Sequence, residues 1–190
     1  MKNEYLQVWS STLRQRGIPL QPGLSDAEVS TIEEKYGFRF PPDLRTLLQH
    51  SLPAGQYFPN WRNGAEAELR ERLSWPLEGL LFDVEHGVWQ ASWGPKPLVL
   101  AEAFAHIRRL VDSAPTLVPV YSLRYIPTKP HRSGNPVLSV VQTDIIYYGN
   151  DLADYFRNEF QVPQPEPITN VPRPVEFWTD IIDWNNQPLS

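Results

Sequence analysis

Between Leu117 and Gly149 the chain reads LVPVYSLRYIPTKPHRSGNPVLSVVQTDIIYYG. β-branched and aromatic residues concentrate in 117–126, 136–142 and 144–149, the composition and length of strands. The connections are short, and Gly134-Asn135-Pro136 reads as a turn entering a strand. Parallel neighbours need a crossover of a dozen residues or more, so strands joined this closely pair as an antiparallel or mixed sheet.

The flanking sequence has helical period. Leu6, Trp9 and Leu13 share a face of a helix over 3–16. In LSDAEVSTIEEKYG, Ser25 and Glu28 stand at capping-box spacing, Leu24 and Val29 at staple spacing, and Gly37 ends the segment. Val29, Ile32 and Tyr36 form its apolar stripe. FPPDLRTLLQHSLP is a third helix, with Pro42 in the first turn and Leu44, Leu47 and Leu48 on one face. GAEAELRERLSW reads as a short charged helix with Leu69 and Leu73 inward. LLFDVEHGVWQASW changes period, giving two strands about a His86-Gly87 hairpin turn, with a helix over 76–84 as the alternative. Leu100, Phe104, Ile107 and Val111 mark a further helix, Asn150 caps one over DLADYFRNEF, and VEFWTDIIDW is the last. Grouped strands among helices give an α+β fold in one domain over 1–190, with helices packed mainly on one side of the sheet and a proline-rich tail, 162–190, wrapping back. Trp9, Trp75, Trp89 and Trp178 are expected in the core.

Composition narrows function by exclusion. Lys and Arg number 17 against 22 Asp and Glu, a net charge of −5, so nucleic-acid binding has no bulk electrostatic support. Without cysteine there is no disulfide, thiolate metal site or Cys nucleophile. No apolar signal core opens the chain, and no window approaches the length of a membrane span, so a soluble cytoplasmic protein is expected.

The segment LSDAEVSTIEEKYGFRFPPDLRTLLQHS resembles the N-terminal signature of the SUKH superfamily, the Smi/Knr-like proteins. It has a Glu-rich helix (Glu33, Glu34), Gly37, the apolar–Pro step Phe40-Pro41-Pro42, then Asp43 opening a helix with Leu44, Leu47 and Leu48. The strand run and LADYF are similar to that family's central strands and following helix, so the resemblance spans 24–160. Where the family often closes its Leu-rich helix with Asn-Gly-Gly, this chain has Ser51-Leu52-Pro53-Ala54-Gly55. The resemblance implies a SUKH-like α+β fold with no shared catalytic constellation, and, among bacterial members, toxin-immunity proteins.

Candidate chemistry is sparse. Asp83, Glu85 and His86, or Glu102 and His106, lie close in sequence but read as solvated turn and helix residues, so no metal or cofactor is expected. Ser122, His131 and Asp144 are the nominees for a hydrolase, without a nucleophile-elbow pattern. The ten glycines form no phosphate loop. Trp89, Trp93 and Tyr125 are the nominees for a ligand-sensing pocket. Tyr and Arg with few Lys is an interface composition, which nominates Arg124, Tyr125, His131, Gln142, Asp144 and Tyr148 as a surface for a protein partner, with no catalytic residue. Glu28, Glu33 and Glu34 are expected to make the solvent face of 26–36 anionic and so to suit a basic partner, such as a toxin domain acting on nucleic acid.

Overall fold

A computed structural model describes residues 2–164 and 171–187. Helix α1 (Asn3–Gln15), the short strand β1 (Leu20–Pro22), helices α2 (Asp26–Tyr36) and α3 (Pro42–His50) and the short strand β2 (Ser51–Pro53) follow in that order, and β1 pairs antiparallel with β2. Helix α4 (Glu66–Glu85), a 3₁₀ turn (Ala91–Trp93) and α5 (Leu100–Ser113) follow. Strands β3 (Leu117–Tyr121), β4 (Arg124–Pro127), β5 (Val137–Val141) and β6 (Asp144–Gly149) form an antiparallel four-stranded meander in sequence order. Helices α6 (Leu152–Phe160) and α7 (Trp178–Asn185) come last.

Local signals act where the sequence places them. The Ser25 hydroxyl accepts the Glu28 N–H at 3.2 Å while the Glu28 carboxylate accepts the Ser25 N–H at 2.8 Å, a reciprocal capping box. Gly37 ends α2 at φ 72, a left-handed conformation that costs glycine nothing. Pro42 sits in the first turn of α3, where its missing N–H leaves no helical bond unmade. Helix α6 is capped by Asp151, one residue later than expected: its carboxylate accepts the Asp154 N–H at 2.8 Å.

The α+β class with an antiparallel sheet stands. Its layering is fuller than helices mainly on one side, because both alternating sets of strand side chains are apolar. Val118, Val120, Ile126 and Val137 join α1, α2, α3 and α6 in one cluster. Leu117, Tyr125, Leu138, Val140 and Ile145 join α4, α5 and α7 in another. From the tail, Arg173 donates to the Asn135 side chain at 2.6 Å and the Trp178 indole donates to the Pro115 carbonyl at 2.8 Å. Residues 165–170 and 188–190 of the proline-rich stretch lie outside the described residues.

The expected hairpin about His86-Gly87 is absent. Helix α4 continues to Glu85, burying Leu80, Leu81 and Val84, and Gly87 at φ 99 follows its end. Pro76 stands inside this helix. It has no N–H to give to the carbonyl four residues back, that of Arg72. The Tyr125 hydroxyl donates to that carbonyl instead, at 2.9 Å. A bond across the fold thus replaces the missing helical one. With the helix extended, Trp75 faces outward at 41% exposure, not into the core; Trp89 is half-buried, while Trp9 and Trp178 are buried.

Candidate functional site

Both tight hairpins of the meander turn at the same end of the sheet. Ser122-Leu123 joins β3 to β4 and Gln142-Thr143 joins β5 to β6. Ser122 (φ 47) and Gln142 (φ 56) occupy the left-handed region, which glycine usually supplies at this turn position. Each is held from outside the sheet. The Ser122 N–H donates to the Tyr57 carbonyl at 2.8 Å. The Thr143 N–H and hydroxyl donate to the Asp83 carboxylate at 2.9 and 2.6 Å. Helix α4 passes so close that a Cβ on Gly79 would stand 2.8 Å from the Gln142 Cα. The Arg72 guanidinium ties the preceding loop down by donating to the Gln56 and Tyr57 carbonyls at 3.0 and 3.3 Å.

Between that loop, the β3–β4 turn and α4 lies a cavity of about 250 Å³. Tyr57, Trp75, Tyr125 and the Ser122-Leu123 turn line it together with Glu68, Glu71 and Arg72. The helical members recur at i, i+3, i+4 and i+7, one face of α4. Burial raises the Tyr125 phenol well above its ordinary value, so it remains a donor.

Around the corner the sheet face is partly uncovered. Arg124, Ser139 and Ile146 pair across three strands, and Val141 pairs with Asp144. The Arg124 guanidinium lies 3.9 Å from the Tyr148 ring centroid, donates to the Ser139 hydroxyl at 2.7 Å and meets Glu159 at 3.3 Å. This is a cation–π pair fixed by two hydrogen-bonding partners. Val141 and Ile146 are exposed beside it, 40% and 43%. Tyr121, opposite Arg124, packs edge-on to Tyr57 at 5.6 Å and joins this face to the cavity. Burial, then Glu159 and Tyr57, raise the Tyr121 phenol.

Of the sequence-nominated surface residues, Arg124, Tyr148 and Asp144 share this face, and Gln142 forms the adjoining turn. Tyr125 does not: adjacent strand residues point to opposite faces, and it is 1% exposed within the second cluster. His131 does not either. It belongs to the β4–β5 connection at the opposite end of the strands, where its imidazole meets the Phe40 carbonyl at 3.2 Å and borders a separate cleft with Arg39, Asp112 and Lys129. Ser122 and Asp144 are thus parted from His131 by the length of the strands, and the hydrolase set does not converge. Asn135, buried in the same connection, donates to the Pro127 and Pro130 carbonyls.

The acidic helix is largely committed. Glu28 serves the capping box and meets Arg62 at 2.5 Å, contacts that lower its pKa to about 2, the Arg62 hydrogen bond first. Glu33 accepts the Phe40 N–H at 2.9 Å, and Asp26 meets Arg45 at 2.7 Å. Glu34 is exposed. The expected anionic face is therefore reduced by pairing. Trp89 packs edge-on to Trp93 at 5.5 Å and near His106, away from the cavity that Tyr125 lines, so the nominated aromatic pocket is not one site. Asp83 holds the β5–β6 turn, and among the described residues no group of three or more metal-ligating side chains gathers.

Sequence reasoning misses Tyr57, Val141 and Ile146, places Trp75 in the core, and counts Glu68 and Glu71, with Glu66 and Glu78, only as an acidic segment partly offset by Arg70 and Arg72. The helical spacing of Glu68, Glu71, Arg72 and Trp75 is the available signal and lies within the helix read over 64–75, but placing Trp75 in the core takes it off that face. No helix among the described residues is long and apolar enough to cross a membrane. Comparison with protein families, with curated proteins and with solved structures found no match.

Proposed function

We propose that the chain is a non-enzymatic protein-interaction module of the toxin-immunity kind that the SUKH resemblance implies, and that its partner docks on the hairpin end of the sheet. The observation that carries this is the surface running from Tyr57 and Tyr121 through the Arg124–Tyr148 pair to Ile146 and Val141. Aromatic residues and arginine among exposed aliphatics are the usual anchors of interfaces. Fixed turns and hydrogen-bonded side chains keep the ordering cost of binding low. The hydrolase nominees lie at opposite ends of the strands, which favours binding over turnover.

The test is co-expression with a secreted toxin encoded beside the gene. Relief of toxicity is expected, and Ile146→Asp abolishes it while the chain stays folded, the loss of a half-exposed strand residue costing about 1 kcal/mol, roughly 2–4 °C in melting temperature. Toxicity that persists beside the unaltered chain rejects the reading.

A further inference from the structure

We infer that the cavity between Tyr57 and Trp75 receives a lysine or arginine side chain of the protein partner; this rests on the hairpin end being the interaction surface. Three observations specify the occupant. First, two of the lining side chains are aromatic and substantially open to solvent, Tyr57 at 51% and Trp75 at 41%. Rings flanking a cavity hold a cation by their negative faces and hold its aliphatic stem by burial.

Second, the charge left over among the lining residues is negative. Arg72 is the cation there, and it is spent: its guanidinium meets Glu68 at 3.1 Å and donates to the two loop carbonyls. Glu68 is spent on Arg72. The Glu71 carboxylate has no ion pair or hydrogen bond among the described residues, although it lines the cavity one turn before Trp75. An anion placed here would meet Glu71 and Glu68. An uncharged apolar group would desolvate Glu71 without replacing its water. A cation satisfies the carboxylate and both rings at once.

Third, the backbone that carries the lining residues is fixed in advance. The Arg72 bonds hold the Tyr57 loop against α4, and the Ser122 N–H holds it against the β3–β4 turn. A strained left-handed residue kept in place by such contacts is characteristic of a site that must present one geometry. The cavity also adjoins the proposed docking face through the Tyr57–Tyr121 contact, so a side chain entering it belongs to the same bound partner.

The experiment has two arms. In the first, the full chain with ¹⁵N-labelled indoles is titrated with N-acetyl-lysine methylamide, N-acetyl-arginine methylamide and N-acetyl-norleucine methylamide, and Trp75 is assigned by Trp75→Phe. The two cationic probes are expected to move the Trp75 indole resonance saturably at millimolar concentration. Norleucine is expected not to, and Glu71→Gln should weaken the cationic response several-fold. Equal response to norleucine, or none to either cation, overturns the inference. In the second arm, Glu71→Gln and Trp75→Ala are tested in the toxin co-expression assay, with thermal melts to confirm folding. Both are expected to impair relief. If relief is intact in both but lost in Ile146→Asp, the interaction reading holds and the side-chain assignment fails. If the unaltered chain gives no relief, the interaction reading itself fails, whatever the probes do.

Discussion

Replacing Tyr125 by Phe removes one hydroxyl and leaves every carbon in place. Its partner, the Arg72 carbonyl, has no helical donor because residue 76 is proline. The substitution therefore strands an acceptor in a partly buried position. Stranding a buried acceptor costs about 1–3 kcal/mol, and the partial exposure of Arg72 puts the expected loss near the lower end, about 1–1.5 kcal/mol. For a chain of this size that lowers the melting temperature by roughly 3–5 °C. The decisive comparison is with Pro76→Ala. That substitution restores an N–H to the Arg72 carbonyl, so in its background Tyr125→Phe should cost only about 0.5 kcal/mol or less, a coupling of about 1 kcal/mol. Urea denaturation of the four proteins in the cycle measures it. Equal cost of Tyr125→Phe in both backgrounds would show that the hydroxyl does not stand in for the proline's missing donor.

Ser25→Ala should cost about 1 kcal/mol by removing the α2 cap; an unchanged urea midpoint would place the start of that helix elsewhere. Gly79→Ala forces a Cβ to within 2.8 Å of the Gln142 Cα, and the resulting strain should cost about 1–3 kcal/mol in the same assay, with silence at this position contradicting the close approach. Glu28 titrates at about 2, below its ordinary 4.5, so the stabilisation from its pairing with Arg62 and Ser25 is present above about 4.5 and lost as pH falls toward about 2. Carboxyl chemical shifts followed against pH should show that low midpoint, and Arg62→Gln should return it toward the ordinary value; a midpoint indifferent to Arg62 would mean the pair does not hold in solution.

What is legible in the sequence has its cause nearby in the chain. The Ser25–Glu28 box, Pro42 in a first turn and the β-branched runs each declare themselves within a few residues. The β3–β4 hairpin reads as a single run because Ser122-Leu123 contains no glycine, and its left-handed residue is held by the Tyr57 carbonyl, far off in sequence. Pro76 reads as a helix end for a similar reason. Its compensation comes from Tyr125, whose hydroxyl reaches the Arg72 carbonyl across 53 residues of chain, so the sequence alone stops the helix short of the buried Leu80, Leu81 and Val84. Arg124 and Tyr125 share an interface composition, although strand alternation allows only one of them on a given face. Glu28 shows its local partner Ser25 in the sequence, but its ion pair with Arg62, 34 residues on, is set by tertiary folding, and the Glu33 bond to the Phe40 N–H depends on the turn after α2.

Helix α4 touches the meander at Arg72, Gly79 and Asp83, and it anchors the Tyr57 loop as well. The two hairpins are close in sequence and pair locally, whereas the helix docks on them from more than 50 residues away. Lifting α4 away would release both left-handed turns together, since Thr143 would lose Asp83 and the loop that holds Ser122 would lose Arg72. The amide protons of Ser122 and Thr143, on separate hairpins, should therefore share one opening free energy in native-state hydrogen exchange. The docking surface and its cavity then exist or vanish as a single cooperative unit, and a ligand that settles between Tyr57 and Trp75 slows exchange at Thr143 without touching it.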